Sequence, residues 1–129
     1  MESKKKILIV DDDSFLLDMY ALKFSQSDFD VTIGLGPEQA LEKLRGGYVP
    51  DVMLLDIVMP VMDGFELMEK MKEENLAQGA IRIVLSNRGQ PSDIARAESL
   101  GASGYIVKAS STPAEVIEKV HTIISTPQK

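Results

Sequence analysis

Cysteine and tryptophan are absent from this 129-residue sequence, and histidine occurs once, as His121. Without cysteine there is no disulfide framework, thiolate zinc site, iron–sulfur cluster or thiol nucleophile. A single imidazole excludes a histidine-cluster metal site, so any bound metal would be a hard ion held by oxygens. Basic residues are outnumbered: 14 Lys plus Arg stand against 20 Asp plus Glu, for a net charge of −6. The only basic run is Lys4-Lys5-Lys6. That leaves no electrostatic footprint for nucleic acid. No apolar run approaches the length of a membrane span. The run Ile7–Val10 that follows the lysines is ended by Asp11, far too soon for a signal peptide. The expectation is a soluble, cytoplasmic protein with no membrane partner. Absent cysteine fits a reducing compartment.

What remains is the composition of a globular domain: 44% of residues are hydrophobic and the net charge is modest. A chain of this length buries roughly two-thirds of its unfolded surface in one core. Short apolar runs alternate with amphipathic segments. Ile7–Val10 is continuous and β-branched, as in a strand buried on both faces. Asp11-Asp12-Asp13-Ser14 then opens a helical pattern, with Leu16, Met19, Tyr20 and Phe24 as its apolar face. Phe29–Ile33 reads as a second strand. Gly36-Pro37 starts a helix with Ala40, Leu41 and Leu44 as its stripe, and Gly46-Gly47 stops it. Val52–Leu55 is a third strand ending at Asp56, followed by a loop from Ile57 to Gly64 and a helix striped by Phe65, Met68 and Met71. Ile81–Leu85 is a fourth strand, and Ile94, Ala97 and Leu100 mark the helix after it. Gly104–Val107 is a fifth strand ending at Lys108. Thr112-Pro113-Ala114-Glu115 is a capping box that starts a last helix along Val116, Val120, Ile123 and Ile124.

Five strand–helix units with short connections predict an α/β fold: a doubly wound, five-stranded parallel sheet with helices on both faces. The expected strand order is 2-1-3-4-5, and ligands of such sheets bind beyond the strand C-termini at the switch point. The expected domain is 1–124, with 125–129 as a C-terminal tail or truncated linker.

The strand ends carry the chemistry. The first ends in Asp11-Asp12-Asp13, the third in Asp56, the fourth in Ser86 and the fifth in Lys108. In the expected order these strands are consecutive neighbours, so carboxylates, a hydroxyl and an ammonium converge. Clustered carboxylates repel one another. A divalent cation relieves that repulsion, and Mg²⁺ typically takes one or two carboxylates together with phosphate oxygens. A phosphoryl group in the pocket would meet the metal, the hydroxyl and the ammonium, an arrangement suited to phosphoryl transfer.

Four segments follow one another along the chain: Ile7–Asp12, Leu54-Leu55-Asp56-Ile57-Val58-Met59-Pro60-Val61-Met62-Asp63-Gly64, Val84-Leu85-Ser86, and Gly101-Ala102-Ser103-Gly104-Tyr105-Ile106-Val107-Lys108. Together they resemble the receiver (CheY-like) domain of two-component response regulators, across nearly the whole chain. The resemblance implies that Asp56 accepts phosphoryl from a phosphohistidine on a sensor histidine kinase or a histidine phosphotransfer protein. It implies Mg²⁺ (or Mn²⁺) on Asp12 directly and on Asp11 mainly through water, with Asp56 and the Val58 backbone carbonyl as further ligands. Ser86 and Lys108 would contact the phosphoryl group, and Tyr105 would change rotamer with Ser86. The surface of the fourth helix, fifth strand and fifth helix would be the output face, open to an output partner or a second copy. The domain would catalyse only its own phosphorylation and dephosphorylation.

Four positions depart from the family pattern or tune it. Ala109 follows Lys108 where the family usually has proline in a cis bond, so a trans bond is expected here. Asn87 follows Ser86 where the family has a smaller residue, narrowing access to Asp56. Val58 and Arg88 occupy the positions that in the family tune hydrolysis of the aspartyl phosphate. Val58 has no side-chain hydrogen bond to offer an attacking water, and Arg88 is long enough to screen the phosphoryl group, so slow self-dephosphorylation is expected. Two other readings exist. One is a degenerate receiver that binds protein without phosphorylation. The other is a haloacid-dehalogenase-type phosphatase, whose nucleophile motif Asp11-x-Asp13 resembles, although Phe15 stands where that family has Thr or Val.

Overall fold

A computed structural model of the chain describes residues 4–126. Its elements alternate as the apolar runs imply: β1 (Lys5–Asp11), α1 (Ser14–Ser25), β2 (Phe29–Leu35), α2 (Gly36–Arg45), β3 (Val52–Leu55), α3 (Gly64–Glu73), β4 (Ile81–Ser86), α4 (Pro91–Ser99), β5 (Ala102–Val107) and α5 (Pro113–Ser125), with one 3₁₀ turn at Lys108–Ser110. The strands form one parallel sheet in the order β2-β1-β3-β4-β5. The expected architecture and order are therefore those observed.

The central strands carry unbroken apolar runs, Ile7–Val10 in β1 and Val52–Leu55 in β3, because both faces are covered. Side chains alternate across a strand, so Ile7 and Ile9 face α1 and α5 while Leu8 and Val10 face α2 and α3. Val52 and Leu54 divide from Met53 and Leu55 in the same way. One core layer holds Leu17, Tyr20 and Phe24 of α1 with Val116 and Val120 of α5. The other holds Ala40, Leu41 and Leu44 of α2 with Phe65, Leu67, Met68 and Met71 of α3 and Ala97 of α4. Each fully buried side chain of this size stabilises the fold by about 1.5–3 kcal/mol.

The face of α1 differs from the expected one. Leu17, not Leu16, is buried beside Tyr20 and Phe24, and Leu16 and Met19 lie half-buried at the margin. Adjacent leucines give helical periodicity no way to choose; packing against α5 and β1 does. The strand limits also move outward, because parallel pairing continues past the apolar run: β2 extends to Leu35, paired with Asp11. Caps set the helix starts. The Asp13 carboxylate accepts from the N–H groups of Phe15 (3.0 Å) and Leu16 (3.2 Å). The Thr112–Glu115 capping box forms as read, with Thr112 N–H donating to Glu115 (2.9 Å) and Glu115 N–H to the Thr112 hydroxyl (3.2 Å). α5 runs through Ser125, one residue past the expected domain end. The rest of the expected tail lies, from residue 127 on, outside the described residues.

Candidate functional site

Register brings the polar strand ends to one edge of the sheet. Val10 pairs with Leu55, Leu55 with Val84, and Ser86 with Val107. Asp11 and Asp56 are thus the next residues of two neighbouring strands, Ser86 ends the third and Lys108 follows the fourth. The Asp56 N–H still donates to the Val10 carbonyl (3.0 Å), which extends the ladder to the acid itself.

Lys108 is the centre of the arrangement. Its ammonium donates to Asp11 Oδ2 (2.7 Å) and to Asp56 Oδ2 (2.9 Å). Only 9% of its side chain is exposed. The second oxygen of each acid is also held: Asp13 N–H donates to Asp11 Oδ1 (3.0 Å), and Val58 N–H donates to Asp56 Oδ1 (2.9 Å). Both acids are buried. Burial raises the pKa of Asp11 above its ordinary value, and the Asp56 charge adds to this while Lys108 opposes it. For Lys108 burial favours the neutral amine, but its hydrogen bonds to Asp11 and Asp56 outweigh that and hold its pKa above the ordinary value.

Asp12 is exposed at the pocket mouth. Asp11, Asp12 and Asp56 each present a carboxylate oxygen, and these oxygens lie within 4.8 Å of one another. Three carboxylates against one ammonium leave the pocket two charges negative. This donor set, all oxygen and undercompensated by two, fits a hard dication.

The β3–α3 loop is pressed against Asp56. A Cβ on Gly64 would sit 2.4 Å from the Asp56 carbonyl oxygen and 2.7 Å from the Ile57 Cα. Glycine is therefore required there by close approach, a role that the Asp63-Gly64 turn pair only partly signals. Val58 is half-exposed, with its backbone N–H spent on Asp56.

On the other side, Ser86 is fully buried, and its hydroxyl accepts from the Arg88 N–H (3.3 Å). The Arg88 carbonyl in turn accepts from the Tyr105 hydroxyl. Ser86 and Tyr105 are thus joined through the backbone of one residue. The Arg88 guanidinium is paired with Asp93 of α4 (2.8 Å). Asn87 is exposed on the same loop. Among the described residues no peptide bond is cis, so the Lys108–Ala109 bond is trans as expected and Lys108 still reaches both acids. Asp13 of the Asp11-x-Asp13 pattern is spent as the cap of α1. Reading the sequence did not assign the Val58 N–H, Gly64 or Asp93; of these only the Asp-Gly pair carried a signal.

Residues 7–121 match the family model of the response regulator receiver domain. Among curated proteins the chain is 33% identical, over 96% of its length, to a protein-glutamate methylesterase/protein-glutamine glutaminase of Halalkalibacterium halodurans. It is 30% identical, over 93% of its length, to the alkaline phosphatase synthesis transcriptional regulatory protein PhoP of Bacillus subtilis. It spans 36% and 48% of the lengths of these two relatives. Among solved structures, a CheY-like response regulator receiver domain protein from Methanospirillum hungatei superposes with a TM-score of 0.83 at 28% identity, covering 95% of this chain and 96% of that one.

Proposed function

This chain belongs to the response regulator receiver domain family, and on that premise we propose that Asp56 is its phosphoryl acceptor. One Asp56 oxygen attacks the phosphorus of a phosphohistidine. The new P–O bond forms as the P–N bond breaks, and the imidazole leaves with the electron pair. The donor is a sensor histidine kinase or a histidine phosphotransfer protein.

The chain's own residues serve the step in distinct ways. The Val58 N–H fixes Asp56 Oδ1 and so orients the carboxylate. Lys108, already charged and poised on Asp56 Oδ2, moves its hydrogen bond to an incoming phosphoryl oxygen. The Ser86 hydroxyl turns from the Arg88 N–H toward the same group. Its departure perturbs the loop whose carbonyl holds Tyr105, and this is how the state of Asp56 reaches the face formed by α4, β5 and α5. Mg²⁺ or Mn²⁺, held by Asp11, Asp12, Asp56 and the Val58 carbonyl, would neutralise charge building on the phosphoryl oxygens. The chain has no turnover on an external substrate in this reading; it acts in the cytoplasm by binding an output partner or a second copy according to its phosphorylation state. The receiver unit is taken as residues 1–124.

The observation that carries the reading is the Lys108 ammonium shared between two buried acids at the sheet edge. The complete set of Asp11, Asp12, Asp56, Ser86 and Lys108 in one place argues against a module that has lost phosphorylation. The test is intact-protein mass after incubation with a small phosphodonor and Mg²⁺, for the parent and for Asp56→Asn. One added phosphoryl group on the parent alone is expected. Addition to both proteins would remove Asp56 from the role.

A further inference from the structure

We propose that Asp93, at the start of α4, is a positioning residue that competes with the phosphoryl group for the Arg88 guanidinium and thereby sets how long Asp56 stays phosphorylated. The inference rests on Asp56 as the acceptor.

Arg88 has two separate attachments. Its backbone is tied to the pocket, since its N–H donates to the Ser86 hydroxyl. Its side chain is tied to α4, where Nη2 donates to Asp93 Oδ1 (2.8 Å). The other Asp93 oxygen accepts from the Gln90 N–H (3.3 Å), so the same carboxylate caps the helix. Asp93 is mostly shielded, with 12% of its side chain exposed, whereas 52% of the Arg88 side chain is exposed. The pair is therefore a half-exposed cation on a shielded anion that also caps the helix. The hydrogen bond to Asp93 holds the Arg88 pKa above its ordinary value.

Phosphorylation changes the competition. The unmodified pocket already has Lys108 for its acids, and Arg88 stays on Asp93. A phosphoryl group adds negative oxygens beside Ser86, two residues from Arg88, and offers the guanidinium a bidentate partner. Once there, Arg88 covers the open face of the phosphoryl group. Hydrolysis needs a water on that face: its oxygen attacks phosphorus, the bond from phosphorus to the Asp56 oxygen breaks, inorganic phosphate leaves, and the carboxylate is restored. By covering the face, Arg88 slows this step, and Asp93 shortens the phosphoryl lifetime by drawing Arg88 away.

Asp93→Asn tests this. Asparagine keeps an oxygen for the Gln90 N–H, so the cap survives while the charge goes. An exposed ion pair of this kind biases the equilibrium modestly. Decay of the phosphorylated protein, followed by intact mass after the phosphodonor is removed, should be about two- to fivefold slower in Asp93→Asn than in the parent. In an Arg88→Ala background the same substitution should have no effect on decay. A merely structural role for Asp93 would alter uptake as well as decay, and would do so with or without Arg88. Unchanged or faster decay in Asp93→Asn overturns the proposal, as does an equal slowing in the Arg88→Ala background. If the parent takes up no phosphoryl group at all, Asp56 as acceptor falls and the competition falls with it; normal uptake with unaltered decay removes only the competition.

Discussion

Replacing Lys108 with methionine isolates the electrostatics of the acidic pocket. The ammonium lies 2.7 Å from Asp11 and 2.9 Å from Asp56. At an effective dielectric of about 20, each contact is an attraction of about 6 kcal/mol. Against the two attractions stands the desolvation of three charged groups, at several kcal/mol apiece. The intact cluster is thus close to balanced, which agrees with the raised pKa of Asp11: burial outweighs its bond to Lys108. Methionine keeps the length and the apolar stem but leaves two buried carboxylates facing each other. Breaking a buried pair in this way costs about 3–5 kcal/mol. Proton uptake by one acid recovers part of that, so we expect a loss of about 3 kcal/mol at pH 7 in EDTA, a large share of the 5–15 kcal/mol typical of a domain.

The assay is urea unfolding followed by far-ultraviolet circular dichroism, in EDTA and in millimolar Mg²⁺. The cation takes over the counter-charge role, so Mg²⁺ should return much of the loss. Lowering the pH toward 5 should do the same, because burial raises the Asp11 pKa and, without Lys108, Asp11 binds its proton in the folded state at a pH where the unfolded chain has released it. A loss below about 1 kcal/mol in EDTA, or one that Mg²⁺ leaves unchanged, would refute the reasoning.

Three further outcomes follow from the same geometry. Asp12→Ala should be neutral or stabilising in metal-free buffer near pH 7, because it removes one of three crowded carboxylates; Mg²⁺ should raise the unfolding midpoint of the parent and act much less on the variant. Gly64→Ala should cost at least about 2 kcal/mol in urea unfolding and slow phosphoryl uptake, since its Cβ would fall 2.4 Å from the Asp56 carbonyl oxygen. The folded-state pKa of Lys108 lies above its ordinary 10.5, where burial is outweighed by Asp11 and Asp56; stability from this group is full below about 10.5 and falls as pH rises through the raised value, so alkaline titration of the parent should show a loss that Lys108→Met lacks.

The legibility of the fold and of the site had different physical sources. The strands were legible because a sheet covered on both faces demands unbroken apolar runs, and Ile7–Val10 and Val52–Leu55 supply them. The helix starts were legible where a side chain announces its own hydrogen bond, as Thr112 and Glu115 do. The buried face of α1 was not, since Leu16 and Leu17 satisfy the pattern equally and only tertiary packing separates them. Convergence of Asp11, Asp56, Ser86 and Lys108 was readable for a topological reason. Once the strands are parallel and in register, all their C-terminal residues lie on one edge whatever the loops do.

Partner choice within that edge is a different matter, because it is settled by loops. Nothing in the spacing of Arg88 and Asp93 distinguishes an ion pair with α4 from a guanidinium laid over the pocket; five residues of loop and first helical turn decide between them. The same holds for Val58, whose side chain suggested one role while its N–H took another on Asp56. The residues proposed to carry phosphoryl transfer therefore sit on the readable sheet edge. Those proposed to govern its lifetime sit on or beside the β3–α3 and β4–α4 loops, where a change of about 1 kcal/mol in one exposed contact is enough to shift a rate severalfold. Members of one fold can then share a single acceptor geometry and differ widely in how long the signal persists.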